Sequence, residues 1–383
     1  MKINVIKKAF LYATAAGFLL TACVSVEPID FEAVNTDVES NKTDEYYAAL
    51  REWKNTPGLP QTFVWADAWD GKLPTGANSM RGLPDSVTII ARWGQPMWGD
   101  AFSPEQRIDM EFVQKVKGTK VVRTILAGKI GDGIPGWDYD AYEIGNTSDE
   151  AIVRPVVAKY AEMIYDKVVE TGYDGFDWDY EPTVGGGTGN YLWKNKVQRT
   201  IFVEELTYWF GKGATEAGRD RGGRKPAIPG LLFLIDGEVG GSWAVNMDRE
   251  WLTYYVDYFV HQAYNSTTIS NLNSRVTGTL NALSHWVDQG LITNEEIVRR
   301  IILTENFESY AKTGGGVLVQ SSFVFKPTSG NYEGMDAQIG GFGIFRSPFD
   351  YNNGTYAGVP EYFFLRQGIT NIYRIYRERQ ATP

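Results

Sequence analysis

Eight short runs of β-branched and aromatic residues recur along this chain, separated by longer stretches with apolar residues at helical spacing. The runs span residues 62–65, 86–91, 120–126, 175–180, 230–235, 258–263, 301–304 and 340–345. Stretches such as 153–170 and 195–212 supply the helical spacing. Strands that alternate with helices in this way predict an α/β fold, here a single-domain (β/α)8 TIM barrel. A doubly wound parallel sheet is the competing architecture.

The amino terminus does not share this pattern. It carries the basic residues Lys2, Lys7 and Lys8, the apolar run 9–20 and the tetrapeptide Leu20-Thr21-Ala22-Cys23. A charged start, about a dozen apolar residues and small residues before a junction predict a secretory signal, too short to span a membrane. The tetrapeptide also resembles a bacterial lipobox, which implies a lipoprotein signal at 1–22 and lipidation of Cys23.

The segment that follows, residues 23–43, is polar and acidic and has no periodic apolar pattern. We expect it to be a flexible tether between the lipid and the domain. The domain is then residues 44–383. Attachment through the lipid at Cys23 implies an outer-membrane lipoprotein, which we expect to be exposed at the cell surface.

The amino-acid composition argues against several classes of function. The chain has 37 Lys and Arg against 47 Asp and Glu, so it lacks the basic excess with which nucleic-acid-binding proteins displace counterions. Its single Cys and two His exclude an intrachain disulfide and argue against a zinc site, and we expect neither a metal nor a cofactor. The aromatic fraction of 14% exceeds what a core requires, so some rings are expected to line a sugar-binding surface.

The fourth run ends in a strict alternation of acidic and aromatic residues. Along a strand, side chains alternate between two faces, which predicts one face with Asp177, Asp179 and Glu181 and an opposite face with Phe176, Trp178 and Tyr180. In a barrel the acids would project into the mouth, where catalytic groups lie. Repulsion between neighbouring carboxylates raises the pKa of at least one of them and keeps it protonated for general-acid catalysis.

Two other interpretations of these acids remain open. One is a solvated acidic face, which the alternation with large aromatic residues disfavours. The other is a bound cation such as calcium, for which the turn-forming Gly or Asn residues of a calcium loop are missing between the acids.

Residues 174–181, Asp-Gly-Phe-Asp-Trp-Asp-Tyr-Glu, resemble the Asp-Gly-x-Asp-x-Asp-x-Glu signature of glycoside hydrolase family 18. This family contains chitinases and endo-β-N-acetylglucosaminidases, and it carries the signature on the fourth strand of a TIM barrel. A second stretch, Gln262-Ala263-Tyr264-Asn265, resembles the sixth-strand Gln-x-Tyr-Asn of the endoglycosidase branch. Strand parity places Gln262 and Tyr264 at the mouth and turns His261 outward, as a packed or surface residue and not a base.

The resemblance implies a substrate-assisted retaining mechanism, in which the acetamido oxygen of the sugar attacks its own anomeric carbon. Glu181 would be the general acid and base. Asp179 would hydrogen-bond the acetamide nitrogen, and Asp177 would share a proton with Asp179. Tyr264 would donate to the acetamide oxygen, with Gln262 beside it.

The eighth run carries Phe345 and no Trp at the position where chitinases usually place a tryptophan floor. This departure favours the endoglycosidase branch and hydrolysis of the GlcNAc-β1,4-GlcNAc core of N-linked glycans. A chitinase and a non-catalytic surface glycan-binding protein are the alternatives. The expected partners are N-glycans of glycoproteins and other glycan-uptake proteins of the cell surface. Further candidate sugar contacts are Asn265, Asp174, Trp65, Asp67, Trp93, Asp236, Glu305, Phe345 and Asp350.

Overall fold

The computed structural model describes residues 42–72, 76–94, 102–137, 144–183, 189–239, 255–352 and 358–381. The predicted signal at 1–22, Cys23 and most of the predicted tether at 23–43 lie outside the described residues. No helix in the described ranges is both long enough and apolar enough to cross a bilayer.

Eight parallel strands form the centre of the domain. They are β1 (Gln61–Ala66), β2 (Ile89–Arg92), β3 (Lys120–Leu126), β4 (Gly175–Tyr180), β5 (Leu232–Gly237), β6 (Tyr258–Gln262), β7 (Ile301–Asn306) and β10 (Gly341–Phe345). Each pairs with the next in chain order, and β10 pairs with both β7 and β1. The sheet is therefore a closed barrel, which confirms the (β/α)8 prediction and excludes the doubly wound sheet. A small antiparallel pair, β8 (Val324–Phe325) and β9 (Ala337–Gln338), precedes the last strand.

Helices connect the strands and surround the barrel. They are α1 (Asp44–Lys54), α2 (Pro104–Glu111), α3 (Glu150–Thr171), α4 (Tyr191–Lys194), α5 (Lys196–Thr207), α6 (Ile269–Asp288), α7 (Asn294–Val298), α8 (Phe307–Tyr310), α9 (Val317–Ser321), α10 (Pro348–Tyr351) and α11 (Phe363–Ala381). The long helix α3 begins at the side-chain cap of Asp149 and ends at Gly172, whose φ of 83° suits the left-handed cap. It covers the stretch in which the sequence predicted helical spacing.

Two apolar layers result from this arrangement. The barrel interior contains alternate residues of the strands, namely Phe63, Trp65, Ile89, Ala91, Val122, Leu234, Val260 and Ile302. The apolar residues on the opposite face of the strands pack outward against the helices in a larger core that includes Phe176, Trp178 and Tyr180. The two layers fix which side chains can reach the barrel mouth.

The fifth strand differs from its prediction in a way that affects the site. The sequence placed it at 230–235, whereas β5 runs from Leu232 to Gly237. Gly230 has a φ of 81°, so it turns the chain before the strand begins. Asp236 consequently lies within the strand, directly opposite Asp179 of β4.

Candidate active site

The acidic and aromatic residues of β4 separate onto two faces, as their alternation predicts. On the outer face, the ring centroid of Trp178 lies 5.1 Å from that of Phe202, and the centroid of Phe176 lies 5.6 Å from that of Phe210. On the inner face, Asp177 is fully buried and Asp179 nearly so. Glu181, which follows the strand, is half-buried at the barrel mouth.

Asp177 is the deepest acid of the site. The Thr124 hydroxyl, opposite it on β3, donates to its Oδ2 at 2.8 Å, and the Trp65 side chain also hydrogen-bonds to it. Burial raises the pKa of Asp177 to about 6 despite these bonds. Thr124 had no place in the sequence-based prediction, because only strand pairing brings it to Asp177.

Asp179 lies one layer higher, between Leu126 on β3 and Asp236 on β5. Trp93 and Asp236 hydrogen-bond to its carboxyl group. Burial raises the pKa of Asp179 well above its usual range, and the nearby charges of Glu181 and Asp177 add to this shift. Leu126 is a second neighbour of these acids that the sequence analysis did not identify. It is 46% exposed beside Asp179.

Asp236 occupies a different place from the one expected of a sugar contact. Its carboxyl group is fully buried and hydrogen-bonds to both Asp177 and Asp179. The family resemblance implies that these two acids share a proton, and in the structure both also have hydrogen bonds to Asp236. Burial and the two neighbouring acids raise the pKa of Asp236 well above its usual range. As a direct sugar contact, the prediction for Asp236 is wrong, because no surface of it is open to a ligand.

Glu181 is held at the mouth by one residue of β6. The side-chain amide of Gln262 donates from Nε2 to Glu181 Oε1 at 2.7 Å. Burial raises the pKa of Glu181, the Gln262 hydrogen bond opposes that rise, and the charge of Glu238 adds to it. A half-buried carboxyl group with a raised pKa is suited to donate a proton and later accept one.

Tyr264 follows β6 and faces the acids. Burial raises the pKa of its phenol well above the usual range, and Asp236, Asp179 and Glu181 contribute in that order. The hydroxyl group therefore stays protonated and can donate a hydrogen bond. Its ring is stacked on Phe345 with a centroid distance of 6.1 Å and an interplanar angle of 26°.

An aromatic wall, defined here as Trp65, Trp93, Tyr264 and Phe345, flanks the acids. Phe345 is its centre, with ring centroids 5.2 Å from Trp93 and 5.9 Å from Trp65, both edge-on. Trp65 is almost fully buried beneath Phe345, so it supports the wall and does not reach a ligand, contrary to its predicted role. Trp93 and Phe345 remain partly open.

His261 points away from this site, as predicted. It is buried between β6 and α6, where its Nε2 lies 3.1 Å from the Thr279 hydroxyl. Burial and the charge of Arg275 lower its pKa to about 3. The ring is therefore neutral at physiological pH and takes no part in the acidic cluster. Within the described ranges, no group of three or more His, Cys, Asp or Glu side chains is arranged to hold a metal ion.

The sequence from residue 24 to residue 370 matches the family model described as glycoside hydrolase family 18, BT1044-like. The chain belongs to glycoside hydrolase family 18. This assignment confirms the resemblance of the acidic signature and makes the protein a family 18 glycosidase on a TIM barrel. No protein in the curated collection of characterised sequences matches the chain.

Solved structures share the barrel. One, a selenomethionine form of a glutamate-to-glutamine variant of BT1044, has a TM-score of 0.64 and 25% identity, over 87% of this chain and 93% of that one. An endo-β-N-acetylglucosaminidase from Cordyceps militaris has a TM-score of 0.54 and 16% identity, over 88% and 98%. A double variant from the same organism, in complex with fucosyl-N-acetylglucosamine-Asn, has a TM-score of 0.54 and 15% identity over the same shares. The last two likenesses show the fold.

Two further predicted contacts of this family 18 barrel lie away from the mouth. Asp174 precedes β4 at the opposite end of the barrel, where it accepts hydrogen bonds from the Val121 amide at 2.9 Å and the Gln114 side chain at 2.8 Å. Asp350 is buried and accepts from the first amides of α11, among them that of Leu365 at 2.9 Å. Both predictions are wrong, because Asp174 lies at the end of the barrel opposite the mouth and Asp350 is buried with its carboxylate bonded to backbone amides.

Glu305 braces the loops of the family 18 site and does not contact a ligand. It is fully buried and accepts from the backbone amides of Asn265 at 2.8 Å, Asn306 at 2.7 Å and Gly316 at 2.6 Å, and from the Gln320 side chain at 3.1 Å. Asn265 has a φ of 53°, so this bond holds a left-handed residue directly after Tyr264. The side chain of Asn265 is exposed beside the mouth.

Asp67 lies at the rim, where it forms an ion pair. Arg346, which directly follows β10, donates from Nε to Asp67 Oδ2 at 2.8 Å and from a terminal nitrogen to Glu308 at 2.7 Å. The ion pair links the ends of β1 and β10, the two strands whose pairing closes the barrel. Asp67 thus holds Arg346 in place and is nearly buried.

Proposed function

We propose that this family 18 glycosidase is an endo-β-N-acetylglucosaminidase that hydrolyses the GlcNAc-β1,4-GlcNAc core of N-linked glycans. The observation that carries the proposal is the position of Glu181. It is a half-buried acid with a raised pKa, held by Gln262 at the open end of a strand whose deeper acids are almost fully buried.

In the proposed reaction, Glu181 protonates the glycosidic oxygen of the leaving sugar. The acetamido oxygen of the substrate attacks its own anomeric carbon, so no protein nucleophile is required. Glu181, now ionised, then removes a proton from the incoming water. General-acid catalysis of this kind contributes on the order of 10²–10⁴-fold to the rate.

Asp179 and Tyr264 act on the acetamido group. Asp179 accepts a hydrogen bond from the acetamide nitrogen and stabilises the positive charge that develops on the oxazolinium ring. Tyr264, kept protonated by its burial and by its acidic neighbours, donates to the acetamide oxygen and orients it towards the anomeric carbon. Asp177 supports Asp179 from the layer below.

The choice of N-glycan substrate has two supports. One of the solved structures of the same fold is an endo-β-N-acetylglucosaminidase variant with fucosyl-N-acetylglucosamine-Asn bound. The eighth strand also presents Phe345 to the mouth, packed edge-on against Trp93, where chitinases usually carry a tryptophan.

The test is the product formed from defined glycoproteins. The mature domain is incubated with glycoproteins that carry high-mannose, hybrid or complex N-glycans, and the products are weighed by mass spectrometry. A single N-acetylglucosamine left on asparagine supports the proposal. Cleavage of chito-oligosaccharides alone would identify a chitinase, and retention on a glycan column without any loss of mass would identify a glycan-binding protein.

From the sequence alone we further propose that the enzyme is a lipoprotein of the outer membrane, anchored by lipid at Cys23 and exposed at the cell surface. The support is the basic start, the short apolar run and the Leu20-Thr21-Ala22-Cys23 junction. At that surface, N-glycans of glycoproteins and other glycan-uptake proteins are the proposed partners.

A further inference from the structure

We propose that Asp236 is a positioning residue of the reaction, a permanently protonated carboxylic acid that donates a hydrogen bond to the Asp177–Asp179 pair while its other oxygen orients Gln262. This role rests on the proposed glycosidase reaction. It follows from the register of three strands, from the oxygens that lack other donors and from the chemistry of buried carboxyl groups.

Strand register brings the groups together. β4 and β5 pair with Asp179 opposite Asp236, and Asp177 opposite Leu234. Residues opposite each other in a sheet face the same side, so Asp236 points into the barrel with the two acids of β4. Its hydrogen bonds to both of them link the two layers of acids.

The hydrogen-bond donors around the three acids indicate which of their carboxyl oxygens contact one another. In the described part of the chain, Asp177 Oδ1, Asp179 Oδ1 and Asp236 Oδ2 are buried atoms without a bond to an N–H or hydroxyl donor. The partner oxygens are occupied, since Thr124 donates to Asp177 Oδ2 and Gln262 lies 3.4 Å from Asp236 Oδ1. The contacts among the three acids therefore use the oxygens that are left.

Two carboxylates cannot hydrogen-bond to each other, because ionised carboxylates only accept. A contact between carboxyl groups therefore contains a proton on one of them. Asp236 is the group best placed to keep it, since it is fully buried and lies against two acids, whereas Asp179 on the neighbouring strand is 5% exposed. The titratable groups that face Asp236 are Asp177, Asp179 and Tyr264.

This arrangement serves the proposed reaction in two ways. A neutral donor at Asp236 allows Asp179 to carry negative charge when the acetamide nitrogen becomes positive, without Asp236 adding a further buried negative charge beside it. The other oxygen of Asp236 accepts from the Gln262 amide, whose Nε2 also donates to Glu181. Asp236 thereby influences both Asp179 and the general acid without touching the substrate.

The substitutions Asp236→Asn and Asp236→Leu test whether Asp236 acts as a neutral hydrogen-bond donor or as an ionised carboxylate. An asparagine amide nitrogen donates to the acids and its oxygen accepts from Gln262, whereas leucine has a similar volume and no polar atom. We expect Asp236→Asn to keep kcat on an N-glycoprotein within about tenfold of wild type and Asp236→Leu to lose about 100-fold or more, with KM little changed in both. Asp174→Asn, at the opposite end of the barrel, is the matched control and should leave kcat unchanged.

A second measurement does not need turnover. The infrared absorption of protonated carboxyl groups at neutral pH should lose one component in Asp236→Asn. A band identical to wild type would place the proton elsewhere and overturn the proposal. So would an Asn variant that is folded and as inactive as the Leu variant, because an ionising group would then be required. Wild-type enzyme without endoglycosidase activity would refute the proposed function, while the infrared result would still decide where the proton lies.

Discussion

Gln262 on β6 donates a 2.7 Å hydrogen bond to the carboxylate of Glu181 at the end of β4, across the intervening strand β5. The bond fixes the acid in one orientation above the buried carboxyl groups. It also stabilises the ionised form of Glu181 and so limits how far burial can raise its pKa.

Removal of this bond should shift the pH profile. In Gln262→Met the pKa of Glu181 should rise, because the ionised form loses a donor while the burial remains. Since Glu181 must be protonated to act as an acid, the alkaline limb of kcat/KM should move to higher pH. A profile that keeps its alkaline limb while kcat falls would show that Gln262 acts on the substrate and not through Glu181.

Glu181→Gln should abolish cleavage. Glutamine keeps the shape of the side chain but cannot supply a proton, so the rate should fall by about 10²–10⁴-fold or more. Glycan affinity and the melting temperature should stay close to wild type, because Glu181 is half-buried and holds no part of the core. Isothermal titration with an intact N-glycan and thermal denaturation measure both, and a variant that unfolds would assign Glu181 to structure.

Asp177 makes the stability of the domain depend on pH. Its pKa is about 6 in the folded chain, above that of an ordinary aspartate, so the folded state retains the proton while the unfolded state loses it. Stability from this proton is complete below about pH 4 and is lost as pH rises through about 6, with a total of up to about 3 kcal/mol. In urea unfolding from pH 4 to 7, wild type should therefore lose stability relative to Asp177→Asn. Parallel curves for the two proteins would contradict this.

Glu305→Gln should destabilise the loops that hold Tyr264. The glutamate accepts four hydrogen bonds, three of them from backbone amides, and a glutamine NH2 group would face donors at one of its two positions. We expect a loss of about 2–4 kcal/mol in the free energy of unfolding, together with a lower kcat. Glu308→Gln is the matched control. Glu308 and its partner Arg346 are both partly exposed, so this substitution should lower the free energy of unfolding by no more than about 1 kcal/mol. Equal effects of the two substitutions would refute the bracing role of Glu305.

Cys23→Ser should release the protein from the membrane. Cys23 is the single cysteine of the chain, so a labelled fatty acid has one thiol to reach. In cells that process lipoproteins, we expect the wild type to incorporate the label and to sediment with membranes, and the variant to do neither. Equal membrane association of both proteins would disprove anchoring at this residue.

Local periodicity in the sequence was sufficient to predict the barrel and the faces of its strands. Alternation along 176–181 predicted which side chains of β4 face inward, because a period of two residues is a property of the strand itself. The same argument turned His261 outward. Eight strand-like runs separated by helical spacing predicted the barrel, since parallel strands need helical crossovers that cover their outer face.

Relations between strands were decided only by the tertiary structure. The central place of Asp236 depends on the start of β5 after Gly230 and on its register with Asp179, and neither is encoded in a local pattern. Glu305 and Asp174 look like mouth residues in the sequence, but Glu305 braces the loops at Asn265 and Gly316, and Asp174 lies at the opposite end of the barrel. The alternation of side chains is set residue by residue, whereas register and loop contacts arise from packing of segments far apart in the chain.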